Sequence, residues 1–399
     1  MLVKLVSITN GCHTNGVVRF LEFFLINKVF FEKAGVRISI DIVNSYALNS
    51  NQSGDKDKNL HVSQKKTMIR ARLKEIVLNY FVGALLVGFV KNYIKGLMVC
   101  IKSAKNNVTD IYFYQDVFVA MIGLYMHSAR SKKITIYHSG VDVLSQFFLS
   151  YPALKNTVVE RYMQSQMQEI SNRMSAVVVL GDNIKNALKK EYPKANVKRI
   201  YNTVPWAIKG YDCSENKRET NKINVVCVGS LQKRKGFDLV VKAMTILKPE
   251  ERNKINVVIV GGGEEYEYLK NYIEVNELSN CVVLAGKQQN VKDYLEQADV
   301  FLLPSRNEGL PLALLEAMYC KLPIIATKVG SIPEIFMHKD AILISPEEND
   351  LAYALRMLFD GTIDLNYMAQ RSRMLYDEYF HQEKFVTNYI ELFDSVCNG

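Results

Sequence analysis

No CxxC pair, no HExxH and no cluster of Cys with His occurs in these 399 residues, so the usual signatures of a zinc site are missing. There is also no DxD flanked by strand. The seven cysteines (Cys12, Cys100, Cys213, Cys227, Cys281, Cys320 and Cys397) are scattered and odd in number. They give no disulfide framework and fit a reducing cytoplasm. Residues 1–8, Met-Leu-Val-Lys-Leu-Val-Ser-Ile, lack a long h-region and a small-residue cleavage site, so they read as a first β-strand and not as a signal peptide. The apolar run 76–90, broken only by Asn79, falls short of the ~20 residues that a bilayer span needs. Solenoid repeats and low-complexity tracts are absent.

What is present describes an ordinary globular chain, with 48% hydrophobic residues and a mean hydropathy of -0.04. Its length suggests two domains. Charge is unevenly spread. Residues 1–205 hold 28 Lys and Arg against 13 Asp and Glu, whereas 206–399 hold 22 against 28. The densest basic stretch is 56–74, with seven cations and one acid, Asp57. A basic first half suits an anionic membrane, an anionic acceptor or nucleic acid. The run 76–90, closed by Lys91 and Lys95, reads either as a buried helix with a solvated basic flank or as an interfacial helix on an anionic leaflet.

Short apolar strands alternate with helical stretches throughout, which argues for parallel sheets covered on both faces. In the first half the strands are 2–8, 36–43, 110–114, 134–137, 176–180 and 197–201. In the second half they are 223–228, 256–260, 281–284, 300–303, 323–326 and 341–344, with helices at 236–247, 264–276, 290–298, 312–320 and 349–359. The boundary falls near 202–222, where 212–224 is polar and rich in Lys, Glu and Asn, and a last helix covers about 382–397.

The most informative stretch is 305–318, Ser-Arg-Asn-Glu-Gly-Leu-Pro-Leu-Ala-Leu-Leu-Glu-Ala-Met, which directly follows the strand 300–303. A strand, a tight loop and a helix N-terminus present free backbone N–H groups to an anion. Glu308 in the loop and Glu316 in the helix would suit a ligand that also carries hydroxyls, because carboxylates accept from sugar O–H groups. A nucleotide-sugar has both chemistries. The loop 229–236, Gly-Ser-Leu-Gln-Lys-Arg-Lys-Gly, follows another strand and offers Arg234 as a two-pronged phosphate donor and Lys235 as a point charge. Gly261, Gly262 and Gly263 do not complete a dinucleotide fingerprint, since Tyr266 stands where the third glycine belongs. They read as a tight turn. His138, at the end of strand 134–137 and ahead of Gly140, reads as a cleft residue.

Together, the motifs VGSLQKRKG, VGGG, ADVFLLPSRNEGLPLALLEAM and PIIATKVGSIPE resemble the retaining glycosyltransferases of the GT-B class, family 4 type (glycosyl transferases group 1). The resemblance covers most of the second half. It is looser in the first half, where Asn15 to Val17, Gly35, His138 to Asp142 and Asn202 to Val204 carry it. Ser230 departs from the pattern where many members have Arg, and Thr203 where the linker usually has Gly.

The resemblance implies an α/β fold of two Rossmann-like domains facing across a cleft: an acceptor domain at 1–204, a nucleotide-sugar domain at 205–381, and a helix at 382–399 crossing back to the first. It also implies roles. Arg234 and Lys235 would neutralise the diphosphate, with Ser230 beside them. Glu316 would hold the ribose hydroxyls. Glu308 would contact the transferred sugar with the backbone of Gly309, Leu310, Pro311 and Leu312. Gly286, Lys287 and Val291 would border the base. Gly16 would let the first loop approach the donor, and His138 would line the sugar site.

No metal or other cofactor is expected. The implied partners are a nucleotide-sugar (UDP first, GDP second) and a lipid-linked or anionic glycan, with an anionic membrane surface met through 56–95. Nucleic acid is not expected, because the second half is acidic and carries the Glu308/Glu316 pair. An NDP-sugar 2-epimerase of the same architecture is the alternative.

Overall fold

In the computed structural model of this protein the described residues are 1–8, 16–42, 80–105, 109–138, 143–204, 222–336 and 339–399. The loop 9–15, the basic stretch 56–74, residues 139–142 and most of the boundary stretch 212–224 lie outside them. The chain divides into two units. One comprises Met1–Ile200 with Val386–Gly399, and the other Tyr201–Phe385.

The first unit holds a six-stranded sheet in which each neighbouring pair is parallel. Its strands are β1 (Leu2–Ser7), β2 (Arg37–Ile42), β3 (Ile111–Tyr114), β4 (Lys132–Tyr137), β5 (Ala176–Val179) and β6 (Val197–Arg199), in the order β2-β1-β3-β4-β5-β6. All four residues of β3 and of β5 are buried, as expected of strands covered on both faces. Tyr389 and Phe393 of the C-terminal helix Gln382–Asn398 complete this unit's aromatic core. The Tyr389 ring lies 5.0 Å from Phe24 and 6.1 Å from Phe20, and Phe393 lies 6.1 Å from Phe113.

Of the run 76–90 the structure describes 80–90, and there it departs from the sequence reading. Helix continues from Phe81 to Ala104, through Lys91 and Lys95, with a π-helical stretch at Leu85–Val90. By length and composition alone it is apolar enough to cross a membrane. One face packs into the unit through Ala84, Gly88, Gly96, Val99 and Cys100. A side chain at Gly88 would lie 2.6 Å from the Tyr151 ring, so only glycine permits that approach. The opposite face exposes Val82, Leu86, Ile94, Met98 and Ile101.

The second unit repeats the scheme with β7 (Ile223–Val228), β8 (Ile255–Val260), β9 (Val282–Gly286), β10 (Val300–Leu303), β11 (Ile324–Thr327) and β12 (Ile342–Ile344). Its order is β12-β11-β10-β7-β8-β9, again parallel at each pairing. The helix Leu365–Tyr379 is absent from the sequence reading. It buries only Met368, Ser372, Leu375 and Tyr376, too narrow a stripe to stand out, and Asp364 caps it by accepting from Tyr367 N at 2.9 Å. Cys100, Cys227 and Cys281 are buried and free, and Cys397 is exposed and free. Cys320 is disulfide-bonded, contrary to the expectation from spacing.

Candidate functional site

In the second sheet β7 lies between β8 and β10, so the chain leaves β7 to one side and returns on the other. Ligands of open α/β sheets bind at the C-terminal ends of the strands where that reversal occurs. The two loops there are 229–236, after β7, and 304–311, after β10. They are the two that the sequence reading singled out.

The loops are locked to each other. A 3-10 turn at Lys233–Lys235 stops at Gly236, whose φ of +70° is left-handed. A Cβ there would lie 2.0 Å from the carbonyl oxygen of Pro304. Arg306 N donates to Arg234 O at 2.7 Å, and Arg306 Nη1 to Lys233 O at 2.8 Å. Beneath them Asp238, 1% exposed, accepts from Arg306 Nη1 at 2.6 Å, Arg306 Nη2 at 2.9 Å and Lys233 Nζ at 2.9 Å. Burial by itself would raise the Asp238 pKa, but the bonds from Arg306 and Lys233 outweigh it and hold the carboxyl below its ordinary value. The sequence reading missed Asp238 and Arg306. A signal existed: Asp238 is a lone carboxylate in the apolar run Phe237–Ile246.

Glu308 is buried against the basic turn. Its Oε1 accepts from Lys235 Nζ at 2.5 Å and from Ser305 Oγ at 2.6 Å, while Arg234 Nη1 stands 3.9 Å from Oε2. Ser305 is held in turn, its carbonyl accepting from Thr327 Oγ1 at 2.5 Å. Gly330, with φ +57°, brings the β11 loop against Glu308, where a Cβ would lie 2.0 Å from the Glu308 carbonyl oxygen. Ser331 N donates to Gly309 O at 3.1 Å.

Leu310 is buried, and Pro311 stands at the N-cap of the helix Leu312–Tyr319 without a side-chain cap. Leu314 N and Leu315 N donate to Pro311 O, which leaves the N–H groups of Leu312 and Ala313 in the first turn for an anion. Glu316, one turn further in, is fully buried.

The neighbouring loops close the same edge. Leu231 N donates to Gly262 O at 3.1 Å and Gly261 N to Gly286 O at 2.8 Å. An added Cβ at Gly262 would touch Lys287 Cβ at 3.4 Å. Val291 is buried at the start of the helix Lys292–Glu296. Ser230, the departure from the family pattern, donates to Gln232 Oε1 at 3.4 Å, and that oxygen also accepts from Arg234 Nε at 3.1 Å. Ser230 thus supports Arg234 through Gln232 in place of supplying a cation. The structure brings Ser230, Arg234, Lys235, Gly286, Lys287, Val291, Glu308, Gly309, Leu310, Pro311, Leu312 and Glu316 to one edge of the second sheet.

Gly16 and His138 belong to the first unit. Gly16 opens the helix Gly16–Ile26. His138 follows β4, its ring edge-to-face with Phe20 at 4.9 Å and its Nε2 3.1 Å from Gln115 Oε1. Burial lowers its pKa to about 4, so the imidazole is neutral at pH 7. Beside Gln115, Asp116 accepts from Ser7 Oγ at 2.6 Å and from Ile8 N at 2.9 Å, and burial raises its pKa. Neither Gln115 nor Asp116 carried a motif that sequence reading could find. Among the described residues, no group of three or more His, Cys, Asp or Glu side chains is placed to hold a metal.

A family model described as glycosyl transferases group 1 matches residues 212–374. The amylovoran biosynthesis glycosyltransferase AmsK of Erwinia amylovora is 32% identical over 170 residues, which are 40% of this chain and 42% of that protein. The N-acetyl-alpha-D-glucosaminyl L-malate synthase of Bacillus anthracis is 28% identical over 295 residues, 71% of this chain and 73% of that protein. The match therefore spans less than half the Erwinia relative's own length. Among solved structures, Anabaena Alr3699/HepE in complex with UDP is similar with a TM-score of 0.67 at 15% identity, over 99% of this chain and 100% of that one. At that identity the likeness establishes the fold, an α/β chain of two Rossmann-like sheets of the GT-B type. Both paired loops lie within residues 212–374, the stretch that matches the glycosyl transferases group 1 model.

Proposed function

We propose that this chain is a retaining glycosyltransferase of the family 4 type. It would move a hexose or N-acetylhexosamine from a nucleotide-diphosphate sugar, UDP before GDP, to a lipid-linked or anionic glycan of a bacterial surface polysaccharide. The observation that carries the reading is Glu308 held against Lys235 and Arg234 at the reversal of the second sheet. Cations and helix-end N–H groups stand where a diphosphate leaves, and a carboxylate stands where sugar hydroxyls can be held. The Erwinia relative's place in amylovoran biosynthesis supports the acceptor class. The 2-epimerase reading is not favoured, since the relatives named above are a glycosyltransferase and a glucosaminyl L-malate synthase.

In the proposed reaction the bond from sugar C1 to the diphosphate oxygen breaks, and a bond from C1 to the acceptor oxygen forms on the same face. The acceptor's proton passes to the departing phosphate oxygen. Lys235, Arg234 and the start of the helix Leu312–Tyr319 stabilise the charge that develops there. These groups supply the positive charge without a divalent ion, and we expect none to be required.

A thermal-shift panel of UDP, GDP, ADP, CMP and their common sugar conjugates tests the donor. A ligand at ~100 times its Kd adds ~2.7 kcal/mol of stability. One nucleotide should raise the melting temperature of the wild type, and Glu316→Ala should abolish most of that shift. A shift kept in the variant would remove Glu316 from the ribose contact, and none with any nucleotide would count against a donor site.

The place of action in this reading is the inner face of the cell membrane. The exposed face of the helix Phe81–Ala104 supports it, with Val82, Leu86, Ile94, Met98 and Ile101 in line and Lys91 and Lys102 exposed beside them. An apolar stripe edged with lysine suits an anionic leaflet. The variant Ile94→Gln/Met98→Gln should lower sedimentation with phosphatidylglycerol vesicles by about tenfold or more, as each buried side chain contributes ~1.5–3 kcal/mol. Equal sedimentation of variant and wild type would leave this helix a purely structural one.

A further inference from the structure

The polar cluster at the C-terminal edge of the first sheet contains a group for which the donor chemistry above has no use. Gln115 follows the last residue of β3 and is 3% exposed. Among the described residues its carboxamide is used on one side only. Oε1 faces His138 Nε2 at 3.1 Å, while Nε2 is buried with no hydrogen-bond partner among them. An amide oxygen only accepts, so this placement makes Nε2 of His138 the protonated nitrogen and leaves Nδ1 with a lone pair. An unmade bond at a buried NH2 costs about 1–3 kcal/mol, and a ligand oxygen that completes it recovers that cost.

The surroundings fix what kind of ligand fits. Phe20 closes one side of the imidazole. Asp116, adjacent to Gln115, stands at the N-cap of the helix Val117–Met126 but does not cap it, and turns to Ser7 and Ile8 instead. A buried donor, a neutral ring nitrogen that accepts and a carboxyl nearby suit hydroxyls, which both donate and accept. They suit a phosphate poorly, because Asp116 and the Nδ1 lone pair would both repel it.

We propose that Gln115 is the positioning residue of a sugar-hydroxyl subsite in the first unit. Its Oε1 sets the His138 tautomer so that Nδ1 accepts from one hydroxyl of a hexose, and its Nε2 donates to the oxygen of another. The assignment of that hexose to the transferred or the accepting sugar rests on the glycosyltransferase reading above. The tautomer and the unfilled donor do not.

The test keeps the two apart. In the full chain labelled with 15N-histidine and without ligand, His138 should be the Nε2–H tautomer at pH 7.5. Gln115→Met, similar in size but unable to accept, should mix the tautomers. Gln115→Glu should keep Nε2–H and move the His138 titration midpoint upward from about 4, because a carboxylate favours the imidazolium. Among the described residues the groups on the ring in the wild type are Phe20 and the neutral Gln115, with Asp116 the titratable neighbour, and the rise is read as the difference between Gln115→Glu and wild type.

With UDP-N-acetylglucosamine or UDP-glucose as the donor probe, Gln115→Met should lower kcat by on the order of tenfold while the donor KM changes by less than about threefold. An Nδ1–H tautomer in the wild type would overturn the proposal, and so would wild-type kcat in Gln115→Met. Should the wild type turn over no nucleotide-sugar, the glycosyltransferase reading falls, and the tautomer result still decides the role of Gln115.

Discussion

Glu308→Gln is expected to cut turnover by about 10²–10³-fold, the cost of removing one preorganised group that acts on developing charge, or ~2.7–4 kcal/mol. The same change should not weaken nucleotide binding, and the reason lies in what Glu308 touches. Its Oε1 accepts from Lys235 Nζ at 2.5 Å, so the wild-type carboxylate occupies the cation that a diphosphate needs. Glutamine keeps the shape and the bond from Ser305 but gives up the charge, and Lys235 is then freer to meet phosphate. Affinity for the nucleoside diphosphate should stay level or rise while kcat falls. Isothermal titration beside steady-state kinetics checks both. Turnover within a few-fold of wild type would remove Glu308 from the sugar contact, and a parallel loss of nucleotide affinity would mean that its role is to hold the loop.

Gly236→Ala should be among the most damaging single changes to the second unit's stability. Two costs add there. The left-handed φ of +70° costs a residue with a Cβ about 1–2 kcal/mol. The added Cβ would also lie 2.0 Å from the Pro304 carbonyl oxygen, a backbone atom that moves only if the loop 304–311 moves with it. We expect a total loss of about 3–5 kcal/mol, within the range reached by strain and overpacking combined. Gly361→Ala, in the same unit, is the internal control, with φ +76° and nothing within 4 Å of the new carbon, so it carries the conformational cost alone. Urea unfolding of the two variants should separate them by at least ~2 kcal/mol. Equal losses would mean that the contact with Pro304 is relieved cheaply.

The alternation of apolar runs was legible because parallel strands are buried on both faces, as β3 and β5 are. The loops 229–236 and 304–311 were legible because their chemistry is local, with charge, glycine and strand end falling within eight residues. What escaped was non-local or unadorned. Asp238 and Arg306 are 68 positions apart, and neither has a motif of its own. Gln115 looks like any polar residue at the end of a strand, and only its geometry distinguishes it. The lysines at 91 and 95 suggested a helix end, yet helix continues to Ala104 with Lys91 exposed at its surface, because the apolar residues that pack inward resume at Gly96 and Val99. Periodicity places residues on faces, but it does not say which face a neighbour will cover.

The contribution of Tyr389 and Phe393 to the first unit bears on the order in which the protein becomes structured. The rings they meet, Phe20, Phe24 and Phe113, are made early, and Tyr389 leaves the ribosome 276 residues after Phe113. At ~5–20 residues per second that interval is about 15–55 s. For that time the first unit has its strands but lacks part of its core, whereas the second unit, Tyr201–Phe385, is synthesised in one stretch. The early residues of the N-terminal unit therefore wait longest for their packing partners, and this unit is the one that a chaperone holding nascent apolar surface would serve.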